Sequence, residues 1–395
     1  MGPASRSRQW VRLLAGLAIA IVLLAWALRD VSFAIAWEAV RSAQLSWLGL
    51  GVLSFLLSFA VRARRWGTLL SVTCDPGPFK LRHAATYIGF GINNVLPARA
   101  GEVTKAFVLN RAAGVPLGVA LGSVVAERLL DAVAVFLMLL ASLALGALKG
   151  SSSGQLEASR LIWVGAVIAV LSGTVLAAAH WPRGFTRLIT WTSRAIGLGR
   201  FTSRLEATSL SLLSGLEALR YPGRGLVALA ESFAIWGLTA VMYWTGMVAF
   251  GVTGPGVAGA VFVTAVVALA IAIPSSPGQF GPFEAGVRLA LAAYAVPTSV
   301  IIAYGFTIHF LAYFSVSAIG LPLAVHFGLS WRRLARSDLK ETVVQDDKVG
   351  VGAESRAETV GRVSYAYDGD GRFRAESGES KSGEASLTAD RAELA

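Results

Sequence analysis

Cysteine and charged residues are scarce in this chain. It contains one cysteine, Cys74, among 395 residues, which excludes an intrachain disulfide and a cysteine metal cluster. Its four histidines are scattered and do not form a ligand set. Only 15% of the residues are charged, whereas 55% are hydrophobic. This composition excludes an ordinary soluble protein and indicates an all-α, polytopic membrane protein.

Motifs of the common enzyme classes are also missing from the sequence. There is no nucleophile elbow, no phosphate-binding P-loop and no cluster of metal ligands. Gly89-Phe-Gly91 lies in an apolar helical stretch and does not follow a strand, so it is not a dinucleotide motif. No basic stripe interleaved with aromatic residues, typical of proteins that bind single strands, is present. We therefore expect no catalytic residue, no cofactor, no metal and no nucleic-acid partner.

The net charge of +11 is unevenly distributed. Residues 331–395 carry 11 basic and 13 acidic groups, so the positive excess lies in the part of the chain before them. There the basic residues lie mostly in short loops, which is typical of topology signals and of contacts with anionic lipid. One cluster, Arg62-Ala-Arg64-Arg65-Trp66, ends the second apolar run and predicts an interfacial position on the cytoplasmic side.

Two apolar stretches are interrupted in the same way, one in each half of the chain. Each contains a proline, a glycine four residues later and then a carboxylate. The two segments are residues 94–102, with Pro97, Arg99, Gly101 and Glu102, and residues 274–284, with Pro277, Gly278, Gly281 and Glu284. Proline removes a backbone donor and glycine loosens a helix, so neither stretch is a simple span. A matched pair of such breaks indicates the binding site of a transporter.

The apolar runs predict two similar halves. Residues 13–28 and 45–61 are spans, residues 84–96 and 103–113 form a hairpin around the first break, and residues 117–148 are a long span. The second half repeats this order in the opposite orientation. Its runs are residues 161–179, 225–250, 257–273 with 285–296, and 301–327. We expect about six full spans plus two re-entrant broken hairpins, arranged as an inverted repeat. The arms of the second hairpin could instead each cross the membrane, because few charges mark their sides.

Four parts follow from this pattern. Residues 1–180 are the first membrane repeat, residues 181–224 a cytoplasmic amphipathic connector, residues 225–330 the second membrane repeat, and residues 331–395 a disordered cytoplasmic tail. The first apolar run resembles a signal peptide. However, Trp26 and the Arg29-Asp30 pair make a poor cleavage region, which favours an uncleaved anchor. Both termini are then cytoplasmic.

Ionisable residues inside a membrane are costly unless they are paired or hydrated, so each is a candidate for the binding site. Glu127 and Asp131 share a helical face, and Arg128 is adjacent. Arg128 could form a purely structural salt bridge, or it could contact a lipid phosphate while the carboxylates orient it. Arg99 could bind phosphate in a bidentate manner or could be an interfacial side chain. Glu102 could be only an acid favoured by the helix dipole.

Other polar residues leave similar alternatives. Glu284 and Arg288 are four residues apart and could form a local pair, or Glu284 could be linked to a proton or a cation. Asn93 and Asn94 could close a helix end or bind the ligand. His309 could be a hydrogen-bonded packing residue or a proton relay.

Four short motifs occur in order along the membrane part of the chain. They are Arg62-x-x-Arg65-Trp66, Asn94-x-x-Pro97-x-Arg99-x-Gly101-Glu102, Glu127-Arg128-x-x-Asp131 and Pro274-x-x-Pro277-Gly278-x-x-Gly281-Pro282-x-Glu284. Together they resemble the flippase-like family that includes the membrane domain of lysylphosphatidylglycerol synthases, the multiple peptide resistance factors. Each motif is weak alone, but four in this order are fairly specific. The resemblance covers about residues 10–330.

The resemblance implies an integral, multi-pass protein of the inner cell membrane that translocates or handles a lipid. Suitable lipids are an aminoacylated phosphatidylglycerol, a hopanoid or a polyprenyl-linked intermediate. It also implies that the matching residues bind the substrate. These are Asn94, Pro97, Arg99, Gly101, Glu102, Glu127, Arg128, Asp131, Pro277, Gly278, Gly281 and Glu284.

Two functions remain open from the sequence. The synthases carry a large soluble domain that takes an aminoacyl group from transfer RNA, whereas about 65 residues follow the last predicted span here, so we expect no synthase activity. The leading hypothesis is a lipid flippase or transporter. The competing hypothesis is a membrane accessory protein that presents lipid to a partner enzyme, either a synthase or a glycosyltransferase. The oligomeric state does not follow from the sequence.

Overall fold

The computed structural model describes residues 18–96, 99–147, 158–195, 202–272, 276–328, 363–367 and 373–377. The chain divides into two units, Met1–Gly328 and Leu329–Ala395. In the second unit the described residues form two strands, β1 (Val363–Tyr367) and β2 (Phe373–Ser377), paired antiparallel. These ten residues are extended where the sequence predicts a disordered tail. The rest of that predicted tail lies outside the described residues.

The described part of the first unit is helical. Its helices are α1 (Ala18–Leu28), α2 (Phe33–Ser42), α3 (Leu45–Leu70), α4 (Phe79–Val95), α5 (Ala100–Ala113), α6 (Leu117–Ala144), α7 (Ala158–His180), α8 (Pro182–Ala195), α9 (Thr202–Ser214), α10 (Pro222–Ala249), α11 (Gly256–Ala270), α12 (Pro282–Leu291) and α13 (Thr298–His326). Three short 3-10 helices lie at Glu217–Arg220, Pro277–Gln279 and Ala292–Tyr294. The predicted all-α class is confirmed for this unit, and α8, α9 and the first 3-10 helix occupy the predicted connector.

Proline and glycine set several helix ends. Pro222 and Pro282 occupy the first helical position of α10 and α12, where the missing N–H would have no intrahelical partner. Gly114 has φ 69° and ends α5, because glycine adopts the left-handed conformation without a Cβ penalty. The sequence therefore determines these boundaries locally.

Within the residues that the structure describes, length and composition make three helices candidate membrane spans, namely α3, α10 and α13. The bent pairs α1–α2, at 84°, and α7–α8, at 104°, raise the number to five if each pair is one span. The sequence predicts about six. Helix α6 has 28 residues and is about 42 Å long. It carries Glu127, Arg128 and Asp131, so its crossing of a membrane requires that these groups be paired.

Two helical hairpins coincide with the two sequence breaks. Helices α4 and α5, of 17 and 14 residues, surround the first break, and α11 and α12, of 15 and 10 residues, surround the second. In each hairpin the two helices pack against each other. Each helix is shorter than the roughly 20 residues that a full crossing requires.

Packing between the two halves is reciprocal. Helix α3 packs along α10. Helix α4 of the first hairpin packs along α13 of the second half, and α11 of the second hairpin packs along α6 of the first half. Each contact made by a helix of the first half therefore has a counterpart made by the matching helix of the second half. Each hairpin therefore lies against the last long helix of the other half.

Glycine allows the closest approach inside the first hairpin. A Cβ at Gly101 would overlap the carbonyl of Gly89, and a Cβ at Gly89 would lie 2.9 Å from the carbonyl oxygen of Gly101. Both obstacles are backbone atoms, which cannot move aside as a flexible side chain can. Only glycine therefore fits at this contact.

Gly101→Ala should lower the free energy of unfolding by about 1–3 kcal/mol, because the added methyl group forces α4 and α5 apart. Gly49→Ala on α3 is the matched control, since no atom lies within 4 Å of the added Cβ. The control should be neutral or slightly stabilising. Unfolding in mixed micelles, followed by circular dichroism, measures both. Equal stability of the two variants would contradict the close contact.

Candidate functional site

One cavity of about 400 Å³ lies between the two halves of the first unit. Residues of α3, α4, α5 and α6 line it from the first half, and residues of α10, α11, α12 and α13 line it from the second. Its aromatic lining includes Phe55, Phe90 and Trp236. A cavity of this size with apolar walls and a few polar groups is typical of a small-ligand site.

Both sequence breaks meet at this cavity. The Arg99 Nη2 donates to the Ile271 carbonyl oxygen at the end of α11, at 3.0 Å. Asn94 Nδ2 donates to the Tyr313 carbonyl oxygen at 3.2 Å and to Ser317 Oγ at 2.9 Å, both on α13. Arg99, Asn94 and Gly278 all line the cavity. The structure therefore brings together two segments that are about 180 positions apart in the sequence.

Each break contains a non-glycine residue with a left-handed backbone conformation. Arg99, with φ 54°, and Gln279, with φ 63°, each follow the proline of their break by two residues and line the cavity. A non-glycine residue with positive φ is uncommon and costs on the order of 1 kcal/mol or more. Such strain clusters at functional sites, where surrounding contacts hold it in place.

Side chains also satisfy the equivalent glycine N–H in each break. Gly101 N donates to Asn93 Oδ1 at 2.8 Å, and Gly281 N donates to Glu284 Oε2 at 2.7 Å. Asn93 thus closes a helix end, which is one of its two predicted roles. Gly281 precedes α12 with φ 96°, whereas Gly101 lies in the first turn of α5, so the two breaks share a satisfied glycine N–H at different positions of the helix start.

Asp131 is the acceptor at the centre of a buried ion network. Arg65, which is 1% exposed, donates from Nη1 to Asp131 Oδ1 at 2.5 Å and to Ser232 Oγ at 2.7 Å. Trp236 Nε1 donates to the same carboxylate at 3.1 Å. Arg128 Nη2 lies 3.3 Å from Asp131 Oδ2. Asp131 therefore connects three long helices, α3, α6 and α10.

Glu127 belongs to the same network. It pairs with Lys105 of α5, whose Nζ lies over the Trp66 ring at 4.6 Å from its centroid, and its Oε1 is 3.7 Å from Arg65 Nη2. Trp66 Nε1 donates to Ser123 Oγ at 2.9 Å. Trp66 and Arg65 are both buried in contacts among α3, α5 and α6, and their interfacial position in the membrane stays a prediction.

Arg128 and Arg99 share one carboxylate. Arg128 Nε is 3.6 Å from Glu102 Oε1, and Arg99 Nη1 is 3.9 Å from the same oxygen. Arg128, Arg99 and Glu102 line the cavity and are each partly exposed. These contacts place Glu102 between two cations in addition to its position in the first turn of α5.

Arg62 differs from the other basic residues of the cavity. It is 6% exposed, yet it makes no hydrogen bond and no ion pair with any residue in the described part of the chain, and its buried Nε lacks a partner. Its guanidinium lies over the rings of Phe90, Phe59 and Trp236, at 5.0, 5.8 and 5.7 Å from the centroids. A buried cation costs several kcal/mol unless an anion compensates it.

The charges at this site are unbalanced. Among the described residues, five cations face three carboxylates; the cations are Arg62, Arg65, Arg99, Lys105 and Arg128, and the carboxylates are Glu102, Glu127 and Asp131. Of these, Arg62, Arg99 and Arg128 line the cavity together with Glu102 and Asp131, so the lining carries an excess of one positive charge, which favours an anionic ligand.

Glu284 and Arg288 do not form the local pair that their spacing allowed. Glu284 is fully buried and contacts His309 Nδ1 at 2.6 Å. Arg288 Nη1 instead donates to the carbonyl oxygens of Trp26, Ala27 and Arg29, at 2.5, 2.8 and 2.8 Å. These carbonyls lie at the end of α1, where a cation is favourable, and the Trp26 oxygen also accepts from Arg29 N at 3.3 Å. The local-pair prediction is wrong.

The twelve predicted site residues divide into three groups. Those that line the cavity are Asn94, Arg99, Glu102, Arg128, Asp131 and Gly278. Those described but outside its lining are Gly101, Glu127, Pro277, Gly281 and Glu284, of which Gly101 and Gly281 shape the breaks. Pro97 lies outside the described residues. Ligand binding by any of them stays a prediction.

Arg62, Arg65 and Lys105 were missed as site residues. The sequence carries a signal for the first two, because Arg62 and Arg65 are three apart on one face of an apolar helix. Basic residues at the end of an apolar run are more often topology signals; that interpretation stays a prediction, and it did not consider these residues as part of a site.

Comparison with known proteins adds one finding. A family model described as lysylphosphatidylglycerol synthase TM region matches residues 13–320, more than three quarters of the chain. The chain belongs to this family. No curated protein and no solved structure matches it. The match encloses every residue that lines the cavity, from Phe55 to Val316. Family membership and the apolar helices together establish a membrane protein related to lipid handling.

Proposed function

We propose that this protein carries a lipid with an anionic head group across the membrane through the cavity between its two hairpins. The observation that supports this most directly is Arg62, a buried cation at the cavity wall without a hydrogen bond or ion pair in the described part of the chain. A phosphate would supply the missing negative charge and acceptor oxygens. Arg99 and Arg128 line the same cavity and are partly exposed, so both can reach the same group.

The lipid class follows from the charge and volume of the site. A cavity of about 400 Å³ accommodates a head group, while the acyl or prenyl chains extend into the surrounding bilayer. Among the three lipids implied by the sequence, those with a phosphate are an aminoacyl-phosphatidylglycerol and a polyprenyl phosphate. A polyprenyl phosphate supplies net negative charge. The phosphate of an aminoacyl-phosphatidylglycerol can contact the same arginines, while its ammonium group makes the whole head group zwitterionic or cationic. A hopanoid without an anionic group offers no phosphate. Glu102, at the same wall, is suited to the amino group of an aminoacylated lipid.

An inverted repeat with alternating access is part of the proposal. It is supported by the reciprocal packing of α4 on α13 and of α11 on α6. It is also supported by the matched positive φ of Arg99 and Gln279. Because each hairpin helix is shorter than a crossing requires, the hairpins are re-entrant in this scheme and act as the two gates. The protein then resides in the inner membrane with both termini in the cytoplasm.

The purified protein alone should move a fluorescent anionic phospholipid between the leaflets of liposomes. The dithionite-accessible fraction of the probe measures this movement, and protein-free liposomes are the control. Movement of phosphatidylglycerol with little movement of phosphatidylcholine supports the proposal. No movement, together with a stably co-purifying enzyme, would favour the accessory role instead. A chemically altered lipid in the extract would indicate an enzyme and would overturn the proposal.

A further inference from the structure

His309 and Glu284 form a buried pair at the second break. His309 Nδ1 lies 2.6 Å from Glu284 Oε1, and His309 Nε2 lies 2.8 Å from the carbonyl oxygen of Gly278. The other carboxylate oxygen, Oε2, accepts from Gly281 N at 2.7 Å. The Phe283 and Phe280 rings pack against the imidazole, with centroids 4.1 and 4.6 Å away. His309 itself lines the cavity.

Hydrogen-bond chemistry fixes the proton content of this pair. A carbonyl oxygen only accepts, so Nε2 must carry a hydrogen to make its contact with Gly278. A neutral imidazole then has a bare Nδ1, which would face an ionised carboxylate, acceptor against acceptor, at 2.6 Å. The contact is favourable only if a proton lies between them, either on Nδ1 or on Glu284. The pair therefore holds one proton more than a neutral histidine and an ionised glutamate.

The same contacts hold the second break in place. Gly278 lies in the short 3-10 helix of the break and Gly281 precedes α12. Through Gly278 the pair attaches this segment to α13, and through Gly281 to the first turn of α12. If the shared proton leaves to water in the cavity, the net charge of the pair falls from zero to −1. A neutral His309 then keeps its one hydrogen on Nδ1 or on Nε2, so it loses its contact with either Gly278 or Glu284.

We propose that Glu284 and His309 are a proton-binding site whose loss of the proton releases the second hairpin from α13. This proposal rests on the proposed transport function, because the proton would be the ion whose movement is coupled to lipid transport. It defines the role of Glu284 more narrowly than the sequence could, since the sequence left a proton and a cation equally open.

Other ionisable groups surround the pair. Tyr243 of α10 interacts electrostatically with Glu284. Tyr304 and Tyr313 lie on α13, the helix that carries His309. Arg288 lies one turn after Glu284 on α12. Helix α2, which packs on α13, presents Glu38 and Arg41 in exposed positions, and α4 carries Lys80, Arg82, His83 and Tyr87. The charged residues that share the cavity with His309 are Arg62, Arg99, Glu102, Arg128 and Asp131. Within the described residues, Glu284 is the group that hydrogen-bonds to the His309 ring through a side chain.

Two substitutions separate the two states of the pair. Glu284→Gln places an amide donor against Nδ1 and retains an acceptor for Gly281, so the attachment persists without an exchangeable proton. His309→Phe retains the ring packing but removes both hydrogen bonds, so the hairpin is released. If His309→Phe fails to fold, Glu284→Gln still tests the proposal.

The first measurement is nitrogen NMR of histidine-labelled protein in nanodiscs, with the His309 signal assigned by its loss in His309→Gln. The proposal predicts a protonated Nε2 and an Nδ1 that is either protonated or strongly hydrogen-bonded. A bare Nε2 at neutral pH would overturn it. This measurement needs no transport, so it stands apart from the transport assay.

The second measurement follows the hairpin with a cysteine at Ala272, which is exposed and lines the cavity. The native thiol of Cys74 reacts slowly because burial, together with Asp75, raises its pKa to about 11, and Cys74→Ser removes it. In that background, Ala272→Cys should react with a water-soluble maleimide equally fast with and without Glu284→Gln at acidic pH. At alkaline pH the cysteine at position 272 should react about tenfold faster in the protein with the native Glu284 than in the protein with Glu284→Gln.

If the maleimide reaction rates with native Glu284 and with Glu284→Gln are equal across the pH range, the proposed release of the hairpin is overturned. Lipid movement that responds to a pH gradient in the native protein, and not in Glu284→Gln, supports the coupling. Lipid movement that is equal in both and independent of the gradient overturns the coupling and leaves transport intact. Release of the hairpin without any lipid movement would overturn the proposed function and leave the proton site intact.

Discussion

Arg65→Leu should lower the free energy of unfolding by about 3–5 kcal/mol, the largest loss expected from a single change in this protein. Arg65 donates to Asp131 at 2.5 Å and to Ser232 at 2.7 Å, with 1% of its surface exposed. Its removal leaves two buried carboxylates, Asp131 and Glu127, short of a cation. An uncompensated buried charge costs far more than the lost hydrogen bonds themselves.

Two neighbouring arginines provide matched controls on the same helix. Arg64 is 75% exposed at its side chain and pairs at 3.1 Å with the buried Glu231, which keeps a hydrogen bond from Thr68, so Arg64→Leu should cost about 1–2 kcal/mol, less than Arg65→Leu. Arg62→Leu removes a buried cation that has no carboxylate partner in the described part of the chain, so it should be neutral or stabilising. Unfolding in mixed micelles gives all three values. A loss for Arg62→Leu as large as for Arg65→Leu would show that Arg62 has a structural partner.

Arg62→Leu should instead abolish the capture of anionic lipid. A guanidinium that forms charge-assisted hydrogen bonds to phosphate contributes about 1.5–3 kcal/mol, so affinity should fall roughly ten- to hundredfold. Arg62→Lys retains the charge but not the planar pair of donors, and we expect an intermediate loss. The measurement is mass spectrometry of lipids retained in native nanodiscs, followed by titration with the enriched lipid.

The Arg64→Leu variant separates this effect from general attraction of anionic lipid to a basic surface. It removes the same formal charge two residues away, outside the cavity lining. Retention of the anionic lipid by Arg64→Leu, with its loss in Arg62→Leu, locates the phosphate at the cavity. Equal losses in both would indicate a surface effect, and undiminished lipid in Arg62→Leu would remove the observation on which the proposed function mainly depends.

The comparison of Arg62 with Arg65 indicates that burial alone does not define the role of a charged residue in this protein. Arg62 and Arg65 lie three residues apart on α3, and both are buried. Arg65 is compensated inside the protein and therefore stabilises the fold. Arg62 forms no ion pair in the described part of the chain; it contacts aromatic faces and interacts with Asp131 and Glu127 only at longer range, which leaves its donors available to a ligand.

The local features of this protein were determined by its sequence. Apolar runs of sufficient length predicted a helical membrane protein, and most of the predicted helices begin and end within a few residues of the predicted positions. The exceptions are α3, which continues to Leu70, and α2 (Phe33–Ser42), which no apolar run predicted. Proline and glycine marked both breaks because their effects act within one or two turns. The four motifs indicated the family, which is confirmed.

The pairing of charges was decided only by the tertiary structure. Sequence spacing suggested that Glu284 could pair with Arg288. In the structure Glu284 contacts His309 on another helix, and Arg288 of α12 donates to backbone carbonyls at the end of α1. Arg65 was interpreted as a topology signal from its place at the end of an apolar run, and this could not reveal its contact with Asp131, 66 positions away. Helical periodicity reports which side chains share a face of one helix, and it carries no information about which face of another helix lies opposite. The cavity between the hairpins exists only because α4 packs on α13 and α11 on α6, across the two halves of the chain.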